Sequence, residues 1–256
     1  MTFLFDTLIY YPIYNLLVLI YNIIPDFGVA IIILTVLIKF LLFPLSKKQI
    51  ESQKKMQELQ PKIKAIQGKY KNDKEKQSRA MMELYKESGS NPFSGCLPMI
   101  AQLVFLIAIY RVLFNISQAG LVINQADLYS FIASPGQINK MFVGVVDLAS
   151  AIEFSQITLS SLPHILLVIL AAGAQFIQTK MMMAKQPIKP AAAQGEPDFS
   201  EMMTKQMLFL GPLLTLFIGI KFPAGLALYW LVSTVFMILQ QRYMEKKESS
   251  VSAIAK

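Results

Sequence analysis

The stretch AIIILTVLIKFLLFPLSKKQ, residues 30–49, decides how this chain is to be read. An apolar run interrupted by one lysine, Lys39, reaches Pro44 and is followed at once by Lys47 and Lys48. Crossing roughly 30 Å of hydrocarbon takes about 20 apolar residues in a helix. Taken over 28–45, the run reads as a membrane span whose basic end faces the cytoplasm. The composition supports that reading. The chain has 256 residues, 54% apolar and 16% charged, and its mean hydropathy is +0.48. Soluble domains carry roughly 25% charged residues, so a soluble globular protein is excluded. Disorder, collagen and a disulfide scaffold are excluded by 12 Gly, 13 Pro and 1 Cys.

Working outward, four further stretches are apolar enough to span: 98–114, 163–182, 206–221 and 225–241. The last two are separated only by Lys221-Phe222-Pro223-Ala224, a sharp reversal for which Pro223 and Gly225 are suited. The formal charge is +8, and 46–97 alone holds twelve Lys or Arg against six Asp or Glu. Counting the basic residues after the third and fifth spans, 20 fall on one side and 2, Lys140 and Lys221, on the other. The positive-inside rule then predicts an all-α polytopic protein with five spans, N-terminus outside and C-terminus in the cytoplasm.

Residues 1–27 are expected to hold an interfacial amphipathic helix rather than a sixth span. Asp6, Pro12, Asn15 and Asn22 argue against spanning, and Thr7, Tyr11, Tyr14 and Tyr21 form one helical stripe suited to headgroups. A signal peptide is disfavoured because no Lys or Arg precedes Lys39. Segment 46–97 reads as an extension of the first helix through Gln60, held by Glu51 and Lys55, followed by a helical hairpin. Pro61 suits the first turn of a new helix with Ile63, Ile66 and Tyr70 as apolar contacts. Asn72-Asp73 then caps a second helix carrying Met81, Met82, Leu84 and Tyr85. The outer loop 115–162 has no assignable pattern. Residues 183–205 read as a cytoplasmic linker, Pro- and Ala-rich within 184–200, and 242–256 as a basic tail.

Polar residues inside the spans carry the functional signal. Lys39 lies about 17 Å past Gly28, deep enough to be a functional candidate by default, or else its stem snorkels to the cytoplasmic headgroups. Thr35 shares its face one turn away. Gln102, Gln175 and Gln178 lie in the cytoplasmic halves of the second and third spans, and Ser233 and Thr234 in the fifth, one turn past Trp230. Facing lipid, these side chains would leave polar groups unsatisfied. Clustered, they would line a wet pocket around Lys39 open to the cytoplasm, and the alternative is bonding between helices. Gln240 and Gln241 read as ordinary interface residues, Arg111 as snorkelling outward with Tyr110, and His164 as interfacial. With one His and one Cys there is no zinc constellation. Neither a phosphate loop nor a Ser/His/Asp set is present, so no cofactor, metal or catalysis is expected.

The runs 30–49, LQPKIKAIQGKYKND (59–73), LYKESGSNPFSGCLPMIAQ (84–102) and FPAGLALYW (222–230) together closely resemble the YidC-type membrane protein insertases, with their Oxa and Alb relatives. The resemblance runs from about residue 8 to 242. It implies a five-span core with a cytoplasm-open hydrophilic groove, through which nascent membrane proteins enter the lipid of the bacterial plasma membrane. It makes Lys39 the groove charge, Gln102, Gln178 and Trp230 groove lining, and 61–88 the cytoplasmic hairpin. Within that hairpin Lys62, Lys64, Lys69, Lys71, Lys74, Lys76, Arg79, Met81, Met82 and Tyr85 are the expected partner-binding residues. The implied partners are the ribosome, the signal recognition machinery, the Sec translocon and anionic lipids, with no small-molecule substrate. In the family the groove charge is usually Arg, whose planar fork a lysine lacks. The short leader before the first span is expected to mark a minimal bacterial form, or a trimmed chain, without the large periplasmic domain or lipoprotein signal of other members. The competing classes are a small transporter or channel using Lys39, and a Sec-accessory subunit without insertion activity.

Overall fold

A computed structural model describes residues 2–89, 97–152, 158–183 and 199–254. It is mostly helical and divides into two compact units. The first is built from residues 1–41, 104–179 and 197–256, the second from 42–103 and 180–196. Among the described residues the helices are α1 (Thr2–Phe5), α2 (Tyr11–Ile23), α3 (Phe27–Leu41), α4 (Phe43–Lys69), α5 (Lys74–Glu87), α6 (Leu97–Gln118), α7 (Leu162–Met183), α8 (Phe199–Lys221) and α9 (Ala224–Ile254). A π-helical turn, Asp6–Tyr10, joins α1 to α2. Three described helical segments are long and apolar enough to cross a membrane: Phe3–Ile23, Leu159–Met182 and Ala224–Lys247. The pair α3 and α4 makes a fourth if counted as one span, and Leu103–Gln118 and Leu208–Lys221 are shorter apolar helices.

In the first unit α3 packs against both α2 and α9, and α8 against α9. Asp26 starts α3: its Oδ1 accepts the Val29 N–H at 3.0 Å, satisfying one of the free donors of the first turn. The polar residues of the N-terminal segment point into protein. Tyr10, Tyr14 and Tyr21 are buried. The Asn115 amide donates to the Tyr10 hydroxyl at 2.9 Å. The backbone N–H groups of Asn124 and Asn139 donate to the hydroxyls of Tyr14 (3.2 Å) and Tyr21 (2.9 Å). Asn15 donates to the Asp127 carbonyl at 2.9 Å and accepts from the Tyr129 N–H at 2.6 Å, and Asn22 donates to the Ala133 carbonyl at 2.8 Å. The stripe read as a headgroup-facing face is therefore corrected in half: Tyr14 and Tyr21 fasten the loop that follows α6, while Thr7 is exposed and Tyr11 half-buried. Buried hydroxyls and amides need partners, and that loop supplies them from its backbone. Arg111, read as snorkelling outward, has partners in the N-terminal segment. Its guanidinium lies 2.5 Å from Asp6 Oδ1 and stacks over the rings of Tyr10 (5.0 Å) and Phe5 (5.5 Å).

The loop has its own order. Two short antiparallel strands, β1 (Met141–Phe142) and β2 (Val146–Asp147), pair Met141 with Asp147 and Phe142 with Val146. Beyond them the chain meets the start of α9: the N–H groups of Ala224 and Gly225 donate to the carbonyls of Ser150 (3.1 Å) and Leu148 (3.0 Å). Two of the orphan donors of that helix end are satisfied by this contact. His164 is buried, its Nε2 3.1 Å from the Gly219 carbonyl, which replaces the interfacial reading.

In the second unit α4 and α5 form a hairpin around Leu59, Ile63 and Leu84, with Met56, Ile66, Met81 and Tyr85 against them. Pro44 falls in the first turn of α4, where its missing N–H is no loss. The expectation of a new helix at Pro61 is overturned: α4 runs unbroken from Phe43 to Lys69 with Pro61 inside it. Proline costs an interior helix one hydrogen bond, and the flanking turns with Leu59 and Ile63 buried hold the helix across it. Glu51 pairs with Lys47 at 3.7 Å, the opposite i,i+4 partner from the one expected. Asp73 caps α5 by accepting the Lys76 N–H at 3.0 Å. That bond, together with the Lys76 ammonium at 2.9 Å, holds its carboxyl below the usual range.

Candidate functional site

Polar side chains are buried along the inner faces of the apolar helices of the first unit. On α3, Thr35 and Lys39 are 0% and 6% exposed, and Thr35 Oγ1 donates back to the Ile31 carbonyl at 2.6 Å. Such a back-bond satisfies a hydroxyl without an interhelical partner. Their burial follows from position. They share one helix face with Ile31, Leu34 and Ile38, all of them buried, while Leu37, Phe40 and Leu41 point outward.

On α9 the sequence places Trp230, Ser233, Thr234, Met237, Gln240, Gln241 and Met244 on one stripe. Ser233, Thr234, Gln240 and Gln241 are all buried. The two helices α3 and α9 are packed together, with Phe40 edge-on to Phe236 at 5.2 Å, and each carries its own buried polar stripe. From α7, Gln175 reaches the α9 stripe. Its Oε1 accepts from Trp230 Nε1 at 3.2 Å and from Thr234 Oγ1 at 3.4 Å. One turn on, Gln178 is buried and its Nε2 lies 3.5 Å from Met237 Sδ, a weak acceptor.

Gln175, Trp230 and Thr234 are thus brought together directly, and Gln178 reaches the same α9 stripe. Lys39 and Thr35 are buried on α3, which packs against α9. The side chain of Gln102 lies outside the described residues, as do residues 90–96 of the motif before α6 and the linker 184–198. Gln240 and Gln241, read as ordinary interface residues, extend the buried stripe by a further turn. Thr215 on α8, not singled out in the sequence, is 2% exposed, its Oγ1 donating to the Gly211 carbonyl at 3.0 Å. The spacing of Gln240 and Gln241 from Trp230, Ser233 and Thr234 was the available signal.

The outer surface of these helices is apolar in the other sense. Phe209, Leu210, Leu213 and Phe217 on α8, and Leu166 and Ile169 on α7, are all more than half exposed. That is the arrangement of a protein whose solvent is lipid, with its polar groups turned inward. Among the described residues no group of His, Cys, Asp and Glu could hold a metal ion.

In the second unit the expected partner-binding residues sort by face. Lys62, Lys69, Lys71, Lys74, Lys76 and Arg79 are exposed, whereas Lys64 is half-buried. Met81 and Tyr85 lie against the hairpin core. Met82 is 71% exposed and outside that core, since it falls on the opposite side of α5.

A family model described as 60Kd inner membrane protein matches residues 19–251. The chain is 37% identical over 229 residues to the membrane protein insertase YidC of Treponema denticola, covering 88% of this chain and 35% of that one. It is 34% identical to the protein of the same name from Wolinella succinogenes, covering 92% and 36%. With that of Fusobacterium nucleatum the identity is 33%, and 87% of each chain is covered. The chain thus spans about a third of the first two relatives' length. A crystal structure described as an active YidC insertase with the first transmembrane domain resolved matches with TM-score 0.56 and 24% identity, over 94% of this chain and 46% of that one. That likeness supports the fold.

Proposed function

The chain belongs to the 60Kd inner membrane protein family, and from that premise we propose that it is a membrane protein insertase. In this reading it crosses the bacterial plasma membrane five times, over 28–45, 98–114, 163–182, 206–221 and 225–241, with its N-terminus outside. The observation that supports the proposal is the burial of polar side chains on α3, α7 and α9, Lys39 among them.

The mechanism is physical rather than covalent. A polar segment entering hydrocarbon costs several kcal/mol for each unsatisfied group. Lys39, Thr35, Gln178, Ser233 and Thr234 line a hydrated groove that shortens the dry path, and Lys39 attracts acidic residues of the segment being carried across. The Gln175 oxygen, engaged by Trp230 and Thr234, ties α7 to α9 beside that groove. Apolar spans of the nascent protein then leave sideways into lipid, favoured by about 25 cal/mol per Å² of apolar surface removed from water. The exposed basic face of the α4–α5 hairpin and the basic tail hold the ribosome, the signal recognition machinery, the Sec translocon or anionic lipid, with affinity falling as salt rises.

The test is protease-protected insertion of a small single-span protein into liposomes holding the purified chain, compared with empty liposomes. Wild type and Lys39→Arg should insert, and Lys39→Leu should fall to the level of empty liposomes. Equal insertion by all three would remove Lys39 from the mechanism. No insertion by wild type above empty liposomes would overturn the insertase reading.

A further inference from the structure

The turn between β1 and β2 is built against ordinary conformational preference. Val143 has φ 52° and Gly144 φ 70°, the paired positive values of a type I′ turn, for which Asn-Gly is the common choice. A β-branched residue is among the least suited to the left-handed region. Yet a valine stands there, and its side chain packs on little within the protein: Val143 is 66% exposed and Val145, two residues on, 58%. An apolar pair at a turn facing water would gain nothing to offset that conformation.

The place of the turn suggests what covers it. Phe142 lies directly over Gly28, where a Cβ would meet its ring at 2.1 Å, and the Val143 N–H donates to Asp26 Oδ2 at 2.9 Å. The tip is therefore pinned at the first turn of α3, where a helix crossing the membrane passes from headgroups into hydrocarbon. The charges behind it are neutralised. Lys140 Nζ is 2.6 Å from Asp147 Oδ2, and Asp147 also accepts from Ser150 Oγ (2.9 Å) and the Ala149 N–H (3.0 Å). What is presented outward is the apolar pair Val143 and Val145, with the Asp26 carboxylate held beneath them by the N–H groups of Val143 and Val29.

We infer that Val143 and Val145 are seated in the bilayer itself, at the headgroup–acyl boundary of the leaflet in which α3 begins. The partner is a lipid surface. Because the same loop carries the carbonyls of Leu148 and Ser150 that engage the start of α9, one lipid anchor sets the depth of both α3 and α9, each with its buried polar stripe. This holds whether or not the chain inserts proteins.

The test uses the full chain in phosphatidylcholine–phosphatidylglycerol vesicles, with Cys96→Ser removing the single native thiol. Val145→Cys carries an environment-sensitive fluorophore, and Gln125→Cys, on an exposed part of the same loop, serves as the comparator. The label at 145 should show blue-shifted emission and be quenched more by lipids bearing a doxyl group high on the acyl chain than by iodide on both sides. The comparator should show the reverse order. Val143→Asn, which the turn accommodates, should lower the lipid quenching at 145 while β1 and β2 stay paired. Iodide quenching at 145 equal to that at 125 would overturn the inference. So would resistance to both quenchers with self-quenching that grows with the protein-to-lipid ratio, since that would mark a second copy of the chain as the cover.

Discussion

The contact between Gly28 and Phe142 gives the sharpest test of how the loop is held. A Cβ at position 28 would lie 2.1 Å from Phe142 Cδ2, 2.4 Å from Cγ and 2.8 Å from Cβ. Non-bonded carbons settle at about 3.5–4.0 Å, so roughly 1.4 Å of overlap must be relieved. The atoms met include the root of the ring and not merely its far edge, so a small ring rotation is insufficient and either the ring or the β-hairpin must move. Overpacking of this kind costs about 1–3 kcal/mol. The helix gain of alanine over glycine, about 0.5–1 kcal/mol in an interior, is reduced here because Gly28 sits in the first turn of α3. Gly28→Ala should therefore destabilise by about 1–2 kcal/mol, or a fall of ~2–8 °C in Tm at the slope typical of chains this size. The measurement is thermal unfolding of the purified protein followed by circular dichroism. Gly173, in α7, is the control: a Cβ there would meet nothing within 4 Å, and Gly173→Ala should raise Tm or leave it unchanged. The two sites also separate by coupling: Phe142→Ala should lose less in the Gly28→Ala background than in wild type, because the ring it removes is the source of the clash. If Gly28→Ala matches or exceeds wild type, the hairpin is not docked on α3, and the depth argument for its tip fails with it.

Two further outcomes follow from the remaining structure. In the cytoplasmic hairpin, Leu84→Ala should cost about 2–3 kcal/mol by opening the small core with Leu59 and Ile63, whereas Met82→Ser, at an exposed position, should leave unfolding within ~0.5 kcal/mol of wild type. Equal losses at both would mean that α5 is rotated from the face described. Acid should loosen the loop through Asp147. Burial raises its carboxyl, but hydrogen bonds from Lys140, Ser150 and the Ala149 N–H outweigh it and hold the group below the usual range. A depressed pKa stabilises the fold above the unfolded value of about 3.9, and that contribution is lost as pH falls through the folded value. The Tm gap between wild type and Asp147→Asn should therefore be largest near neutrality and close below about pH 4. A gap independent of pH would show that the ion pair is not what stabilises the loop.

How far the molecule could be read from its sequence depended on whether the deciding contacts were local. The cap at Asp73 and the short reversal before α9 are local, each written in residues three or four apart, whereas the first helix, read as running on through Gln60, ends at Leu41 and a new one starts at Phe43. Pro61 shows the limit of that local reading, because a proline in a first turn and one inside a helix look alike until the packing of Leu59 and Ile63 across it is known. The N-terminal tyrosines show it more strongly. A polar stripe on a helix states that one face is not hydrocarbon, and it is silent on whether headgroups or protein meet it. Here the partners of Tyr10, Tyr14 and Tyr21 lie 105, 110 and 118 residues away, the first on α6 and the other two in a loop with no periodicity of its own to announce them. The set of buried polar side chains was the legible part of the site because an amide, a hydroxyl or an ammonium inside an apolar run has few tolerable destinations. Its interior was not: that Gln175 turns its oxygen to Trp230 and Thr234, 55 and 59 residues on, is settled by how α7 and α9 face one another. The same asymmetry explains the valines of the turn. Composition alone makes Val143 and Val145 ordinary strand residues, and only the positive φ at Val143, the exposure of both and the ring of Phe142 on Gly28 turn them into a statement about lipid.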